Sequence, residues 1–247
     1  MTLIISEISP FGIAMVADTT YNFKEMMPSG AIGSRVLNGA SKLQYIPYLN
    51  AGISMWGTGR VRSITGEIFT DMWVEDLIRR YQGIGSLESF ASALREDLER
   101  AMGQEDRPLG FHLAGYEEKD GHRWPAFFHV RNCEGDYASL EIHDFVLGRE
   151  VGPTKLPGDE EGLIWYNGDY GLYKNVREGV EEGLSRVHSV SGFEIPHPSL
   201  EGRTRYLAAW VRFISDLYEC SNLPREIGYE VDCLAILPEG EAKVFRI

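Results

Sequence analysis

Several predicted strands in this chain are apolar at nearly every position, and this pattern narrows the possible folds more than any other feature. A strand with one face in solvent alternates apolar and polar residues, whereas a strand covered on both faces does not. The runs Ile13–Val16 and Leu163–Tyr166 have this unbroken apolar character. We therefore predict sheets that are covered on both faces.

The order of the predicted elements is strands, two helices, strands, two helices and strands. The first two helices are predicted because apolar residues recur at steps of three to five, which places them on one helical face. Ser86 is the predicted N-cap of the second helix, and Gly103 its end. Residues 19–40 are polar and rich in glycine, and are predicted to form a long loop. The predicted strands are Leu3–Ser9, Ile13–Val16, Lys42–Tyr48, Asn50–Trp56, Gly110–Tyr116, Trp124–Val130, Ala138–Phe145, Leu163–Tyr166, Tyr229–Leu237 and Ala242–Ile247, and the predicted helices are Arg60–Tyr81, Ser86–Met102, Asp169–Val187 and Arg203–Cys220.

This order fits two packed sheets between two helical layers, an α+β fold of the four-layer αββα type. The chain has 247 residues and 43% apolar residues, which is enough for a sizeable core. No change of composition resembles a linker, so residues 1–247 are predicted to form a single domain.

The charge balance argues against two classes of partner. The formal net charge is −13, and no basic cluster is present to neutralise phosphates, so neither nucleic acid nor an anionic membrane surface is an expected partner. No apolar run approaches the ~20 residues that span a bilayer, and the N-terminus lacks the basic region of a signal peptide. The chain has three cysteines, Cys133, Cys220 and Cys233. Because the number is odd and no C-x-x-C spacing is present, we expect free thiols in a cytoplasmic protein.

Two motifs resemble sites for other chemistry but lack required residues. Gly57-Thr58-Gly59 lies between a predicted strand and a predicted helix, but Arg62 stands where a dinucleotide-binding loop needs its third glycine. Ser54 lacks the second glycine of a nucleophile elbow.

Thr2 is a candidate nucleophile because it directly follows Met1. Removal of Met1 would place its hydroxyl beside a free α-amine, whose pKa near 7.7–8.0 lets it accept a proton at neutral pH. Nucleophile and general base then belong to one residue. Many proteins begin Met-Thr, so this feature alone does not identify an enzyme.

The wider context resembles a proteasome β-type subunit, an N-terminal-nucleophile (Ntn) hydrolase. In that family a leading Thr is followed by a strand, a glycine turn, a second strand and an Ala-Asp-Ser/Thr sequence. Asp18 follows Thr2 by sixteen residues, as in the family. The length, and Ser221-Asn222-Leu223, also resemble the bacterial Anbu-type homologues. The segments that carry the resemblance are Thr2–Thr19, Ser41–Ile46, Ala51–Gly57, Leu113–Tyr116 and Ile227–Asp232.

The resemblance implies roles for four residues. Thr2 would attack the scissile carbonyl, and Lys42 would stabilise the developing negative charge. Asp18 would hold Lys42 and keep it protonated. The backbone N–H of Gly57 would donate to the oxyanion. From the residues alone, a plain ion pair between Lys42 and Asp18 is the other interpretation.

The chain departs from the family pattern at four places. The stretch between Asp18 and Lys42 is several residues longer than usual. Gly57 lies one residue further from Lys42 than in most members, so Trp56 is an alternative oxyanion position. Asn167 stands near the place of a supporting serine. Pro224–Tyr229 lacks the aspartate and serine of the equivalent family segment.

The sequence therefore predicts a threonine-type peptidase or amidohydrolase that cleaves peptides or unfolded proteins. The resemblance implies a homo-oligomer, as a ring or spiral, and no metal or organic cofactor, and a partner ATPase is compatible with it. The alternatives are a catalytically inactive structural or assembly subunit of the same fold, and a transpeptidase.

Overall fold

The structure is a computed structural model that describes residues 2–26, 30, 32–63, 66–103, 107–133, 144–149, 163–191, 198–223 and 227–247. Its elements in chain order are strands β1 Leu3–Ser9, β2 Gly12–Asp18, β3 Thr20–Met26, β4 Ile32–Asn38, β5 Leu43–Ile46, β6 Ala51–Gly57, β7 Arg60–Ser63 and β8 Gly66–Phe69, helices α1 Thr70–Arg80 and α2 Leu87–Met102, strands β9 Leu109–Lys119, β10 His122–Arg131, β11 Val146–Arg149 and β12 Leu163–Gly168, helices α3 Tyr170–Ser191 and α4 Leu200–Glu219, and strands β13 Val231–Ile236 and β14 Ala242–Arg246.

The described residues form a mixed α/β structure in which the two larger sheets are antiparallel. The first has the strand order β12-β1-β2-β13-β14, and the second has the order β11-β10-β9-β6-β5. Two small hairpins, β3-β4 and β7-β8, form separate two-stranded sheets.

Three apolar clusters cover the faces of these sheets. One cluster joins α1 and α2 to the second sheet, through residues such as Leu77, Phe90 and Phe111. Another joins α4 to the first sheet. The third contains residues of both sheets and lies between them, with Met15 from β2 and Phe127 from β10 among its members.

β2 is buried at every position, as its unbroken apolar run predicts. The prediction is wrong for Leu163–Tyr166, because β12 is an edge strand in which Leu163 is exposed and the next three residues are half-buried.

Most predicted elements lie where the sequence placed them. β1 has the predicted bounds, and the structure extends β2 to Asp18. The N-cap of α2 is confirmed, because the Ser86 side chain accepts a hydrogen bond from the backbone N–H of Ser89, and Gly103 follows the helix. The α3, α4, β13 and β14 bounds differ from the predicted ones by a few residues.

The prediction of a long loop over 19–40 is wrong, because β3 and β4 pair there as a hairpin. The side chain of Tyr21 is buried and its ring stacks on Phe69, with centroids 5.8 Å apart. Phe23 packs against the same ring at 5.9 Å. Aromatic contacts with Phe69 of β8 therefore stabilise a hairpin that the polar, glycine-rich composition of this segment does not predict.

The prediction of one helix over Arg60–Tyr81 is wrong in its first half. Residues Arg60–Ser63 and Gly66–Phe69 form β7 and β8, and α1 begins only at Thr70. Gly66 has a φ of +123°, which a helix does not accept. The predicted strand Ala138–Phe145 falls mostly outside the described residues.

Candidate functional site

The β1-β2 hairpin brings Thr2 and Asp18 together. Ile4 pairs with Ala17 in this hairpin, so the residue before β1 and the last residue of β2 lie at the same end. The backbone N–H of Leu3 donates to Asp18 Oδ1 at 3.0 Å. The turn at the far end of the hairpin therefore sets the separation of two residues sixteen positions apart.

Lys42 reaches both residues from the second sheet. It directly precedes β5, and its carbonyl accepts a hydrogen bond from Met55 N at 3.0 Å. Lys42 Nζ lies 2.7 Å from Thr2 Oγ1 and 3.1 Å from each carboxylate oxygen of Asp18. It also contacts the carbonyl oxygen of Thr20. Thr2, Asp18 and Lys42 are each at most 3% exposed.

The carboxylate of Asp18 is surrounded by donors. Besides Lys42, the backbone N–H groups of Leu3, Thr20 and Gly228 donate to it at 3.0–3.1 Å. An ionised carboxylate accepts hydrogen bonds and donates none, so this arrangement suits the charged form. Asp18 therefore connects β1, the start of β3 and the segment before β13.

Two opposing effects act on the Lys42 ammonium. Burial lowers the pKa of Lys42, and the charge and hydrogen bonds of Asp18 act in the opposite direction. The Tyr21 ring also lies 5.3 Å from Lys42 Nζ, where its π face attracts a cation. Since Asp18 is in contact and fully buried, we assign Lys42 and Asp18 as a charged pair.

The backbone of Thr2 is held from the opposite side by the end of β12. Its carbonyl oxygen accepts a hydrogen bond from Asp169 N at 2.6 Å. Gly168 has a φ of +99°, and a Cβ built on it would lie 1.7 Å from this same oxygen. Only glycine fits at 168 without displacing Thr2.

Gly168 and Gly228 were not singled out by their sequence patterns. Gly228 contributes a backbone N–H to Asp18, and a Cβ at this position would lie 2.1 Å from Thr20 Oγ1. Both contacts involve backbone atoms that are close only in three dimensions. The available signal was a glycine at the end of a strand for Gly168 and a glycine just before a strand for Gly228, but nothing in the sequence indicates the partner of either.

Gly57 is placed at the end of β6, on the strand that pairs with β5. Its φ is +94°, and a Cβ there would lie 2.1 Å from the carbonyl oxygen of Pro108. Among the described contacts, none joins Gly57 to Thr2, Asp18 or Lys42. The structure thus brings three of the four predicted site residues into contact, and the oxyanion role of Gly57 stays a prediction.

The Asn167 side chain contacts His112, and none of the described contacts joins it to Thr2. Its Oδ1 lies 2.6 Å from His112 Nε2, and His112 Nδ1 lies 3.0 Å from Ser6 Oγ. An amide oxygen only accepts, so His112 carries its proton on Nε2 and accepts from Ser6. Burial, and next the neighbouring His129, lower the pKa of His112 well below its usual 6.5, so this imidazole is neutral.

The geometry suits acyl transfer by a hydroxyl nucleophile. Because Lys42 donates to Thr2 Oγ1, the hydroxyl hydrogen is available to another acceptor. A cation beside Oγ1 stabilises negative charge that develops there. Within the described ranges, no group of three or more His, Cys, Asp or Glu side chains is arranged to hold a metal ion. Likewise, no helix in the described part of the chain has the length and hydropathy to cross a membrane.

Comparison with known proteins identifies the class of fold. No family model matches this sequence, and no curated protein sequence matches it. Among solved structures, the chain resembles Anbu, a bacterial proteasome-like protein of the Ntn class.

The matching structure is the Anbu (Gly-1) mutant from Hyphomicrobium sp. strain MC1. The alignment covers 100% of this chain and 87% of that chain, with a TM-score of 0.52 and 14% identity. The resemblance predicted from segments between Thr2 and Asp232 is therefore confirmed as a similarity of fold.

Proposed function

We propose that this chain is a threonine-type Ntn amidohydrolase in which Thr2 becomes the nucleophile after Met1 is removed. The observation that carries the proposal is the contact of Lys42 Nζ with Thr2 Oγ1 at 2.7 Å, in a buried ion pair with Asp18. The three apolar clusters support the finer description of the fold as a single αββα domain over residues 1–247.

The reaction would proceed in two steps on Thr2. In the first, Oγ1 bonds to the carbonyl carbon of an amide, the α-amine takes the hydroxyl proton, and this proton passes to the leaving amine as the C–N bond breaks. In the second, water adds to the resulting ester, the α-amine takes its proton, and Thr2 Oγ1 leaves with a proton. Lys42 stabilises the charge at Oγ1 throughout, and the backbone N–H of Gly57 is the proposed oxyanion donor.

The direct test is the intact mass of the purified protein before and after incubation with a β-lactone, which acylates N-terminal threonines. Loss of one methionine, followed by gain of one probe mass, is expected for the wild type. The Thr2→Ala variant should gain no probe. Retained Met1 and no probe addition would refute the assignment of Thr2 as the nucleophile in that protein.

Lys42→Ala tests the role of the ammonium. It should abolish acylation and any peptidase activity while leaving the size of the assembly unchanged. Lys243→Ala is the matched control, because Lys243 lies on β14 with its side chain 66% exposed. Unchanged turnover in Lys42→Ala would contradict the catalytic role.

A second candidate is an inactive structural or assembly subunit with the same fold. It is favoured by the Asn167 side chain, which contacts His112 and has no described contact with Thr2. It is opposed by the contact of Lys42 with Thr2, which a scaffold does not need. An intact assembly that never reacts with the probe, even after enzymatic removal of Met1, would favour this candidate.

We also propose that the chain acts on peptides or unfolded proteins within a homo-oligomer. The structural similarity to Anbu, a proteasome-like protein, is the observation that supports this part of the proposal. Native mass spectrometry tests this part independently of activity, and a monomer at micromolar concentration would contradict it. Product mass analysis with an added amine distinguishes hydrolysis from transpeptidation.

A further inference from the structure

A buried histidine connects the two larger sheets beside the end of β12. His112 lies on β9 of the second sheet, and its side chain is fully buried. Its Nδ1 lies 3.0 Å from Ser6 Oγ on β1, and its Nε2 lies 2.6 Å from Asn167 Oδ1 on β12. Both partners belong to neighbouring strands of the first sheet, so the imidazole bridges the two sheets.

The bridge uses each ring nitrogen of a neutral imidazole once. The Ser6 hydroxyl donates to Nδ1, and the Nε2–H donates to the amide oxygen of Asn167. Burial lowers the pKa of His112 well below its usual 6.5, which keeps the ring in this neutral form. Phe127 and His129 meet the ring edge to face, each with its centroid 5.0 Å away. These contacts fix the orientation of the ring as well as its position.

The strand β12 has little other support. It is an edge strand, and among the described strands β1 is its only hydrogen-bonded neighbour. Its residues before Gly168 are exposed or half-buried. The hydrogen bond from His112 ties the end of this strand to the second sheet, and low-dielectric surroundings strengthen such a bond.

The end of β12 in turn holds Thr2. Asn167 directly precedes Gly168, which pairs with Leu3. The next residue, Asp169, donates its backbone N–H to the carbonyl oxygen of Thr2 at 2.6 Å. A continuous series of contacts therefore leads from the second sheet, through the Asn167 side chain, to the backbone of Thr2.

We propose that His112 is a positioning residue for Thr2 that acts through Asn167 and the end of β12. This inference rests on the proposed function, in which Thr2 is the nucleophile. Lys42 directly precedes β5, which belongs to the same sheet as β9, so Thr2 and Lys42 come from different sheets. The bridge fixes one sheet against the other beside the site, and a displacement of about 1 Å can slow a reaction about 100-fold.

Two substitutions of His112 separate its two hydrogen bonds. The amide nitrogen of glutamine lies about as far from the backbone as Nε2 of histidine, so His112→Gln keeps a donor for Asn167. The amide group of asparagine lies where Nδ1 does, so His112→Asn keeps the contact with Ser6 and loses the one with Asn167. The rate of β-lactone acylation should fall at least about tenfold in His112→Asn and less than about threefold in His112→Gln.

Asn167→Leu removes the same hydrogen bond from the other strand. Asn167 is half-buried, and leucine has nearly the same size, so this variant leaves the buried histidine in place. It should slow acylation as much as His112→Asn does. It also keeps the test informative if His112→Asn does not fold.

Hydrogen exchange at the Asp169 amide measures the same effect without any reaction. Mass spectrometry with fragmentation to single residues should show exchange at least about tenfold faster in His112→Asn and Asn167→Leu, and less than about threefold faster in His112→Gln. The same pattern is expected in a Thr2→Ala background, because residue 2 keeps its carbonyl oxygen. If the wild type is not acylated, the peptidase proposal fails, and the exchange pattern alone decides whether His112 positions residue 2.

Ile236→Val is the matched control for lost packing between the sheets. Ile236 belongs to the same inter-sheet cluster but pairs with Ile13, at the end of β2 remote from Asp18. This variant should unfold at a lower urea concentration without faster exchange at Asp169 or slower acylation. Equal effects of His112→Gln and His112→Asn, unchanged exchange at Asp169 in His112→Asn and Asn167→Leu, or an equal effect of Ile236→Val would overturn the proposal.

Discussion

Replacing Gly168 with alanine should displace Thr2 and cost stability. A Cβ at this position would lie 1.7 Å from the carbonyl oxygen of Thr2, although real Cβ atoms essentially never approach another atom within 3.0 Å. The φ of +99° adds strain, since a left-handed backbone costs an L-residue about 1–2 kcal/mol. The clash also breaks the hydrogen bond from Asp169 N to Thr2 O, worth about 1 kcal/mol.

Together these effects predict a loss of about 2–4 kcal/mol in the free energy of unfolding. Movement of Thr2 by about 1 Å relative to Lys42 should slow β-lactone acylation by about 100-fold. Gly171→Ala is the matched control, because Gly171 is exposed in α3 with nothing within 4 Å of its built Cβ. This control should be neutral or more stable by up to about 1 kcal/mol, since alanine is the better helix former.

Urea denaturation and intact-mass labelling rates of the three proteins provide the assay. A Gly168→Ala variant that is as stable as wild type and is acylated within twofold of its rate would refute the reasoning. The contact between the end of β12 and Thr2 would then not position the nucleophile.

Two further predictions concern buried polar groups away from Thr2. The pKa of His112 is lower in the folded chain than in the unfolded chain. Below pH 6.5 the unfolded chain therefore binds more protons than the folded chain does. As the pH is lowered through this range, the free energy of unfolding should fall by at most about 1.4 kcal/mol per pH unit. His112→Gln should remove this slope and His122→Gln, at an exposed position, should not; equal slopes in wild type and His112→Gln would contradict the assignment. Arg203→Met should destabilise by about 3–5 kcal/mol, because it leaves the buried Glu7 carboxylate without its partner. Arg205→Met is the control, because it breaks an exposed pair with Glu201 two positions further along α4. It should lower the free energy of unfolding by less than about 1 kcal/mol. Equal losses for Arg203→Met and Arg205→Met in urea denaturation would argue against a structural role of the buried pair.

Local chemistry was sufficient where an element depends on its own residues. The Ser86 cap is an example, because its acceptor and its donor lie three positions apart in the sequence. The β1-β2 hairpin is another, since a tight turn separates two apolar runs. In both cases the information that determines the structure is contained within a few consecutive residues.

Tertiary partners decided the elements that were predicted wrongly. The apolar residues of 60–69 recur at steps that a helix tolerates, yet β7 and β8 pair as antiparallel strands with Ser63 opposite Gly66. Arg60 lies over the Phe23 ring at 4.7 Å, so β7 and the β3-β4 hairpin stabilise each other. Neither segment alone predicts this contact, because Arg60 comes from one segment and Phe23 from the other.

The candidate site likewise contains residues that the sequence predicts and residues that it does not. Asp18 and Lys42 are predicted because they lie in segments that resemble a proteasome β-type subunit, Thr2–Thr19 and Ser41–Ile46. Gly168 and Gly228 act through the space they leave and through backbone N–H groups. Their partners, Thr2 and Asp18, lie far away in the sequence, so no short pattern could identify them.

The burial of Lys42 distinguishes the two interpretations of its ion pair with Asp18. Removing two charges from water costs several kcal/mol per ion, and apolar residues of similar volume often stabilise a protein as well or better. Stability alone therefore gives little reason to keep an ammonium at 1% exposure. The contact with Thr2 Oγ1 supplies another reason, because a cation in low-dielectric surroundings stabilises developing alkoxide charge far more strongly than one in water. A Lys42→Met, Asp18→Asn double variant removes both charges, and the asparagine oxygen can still accept from the backbone N–H groups of Thr20 and Gly228. If the pair is retained for chemistry, this variant should keep most of its stability and should no longer react with the β-lactone.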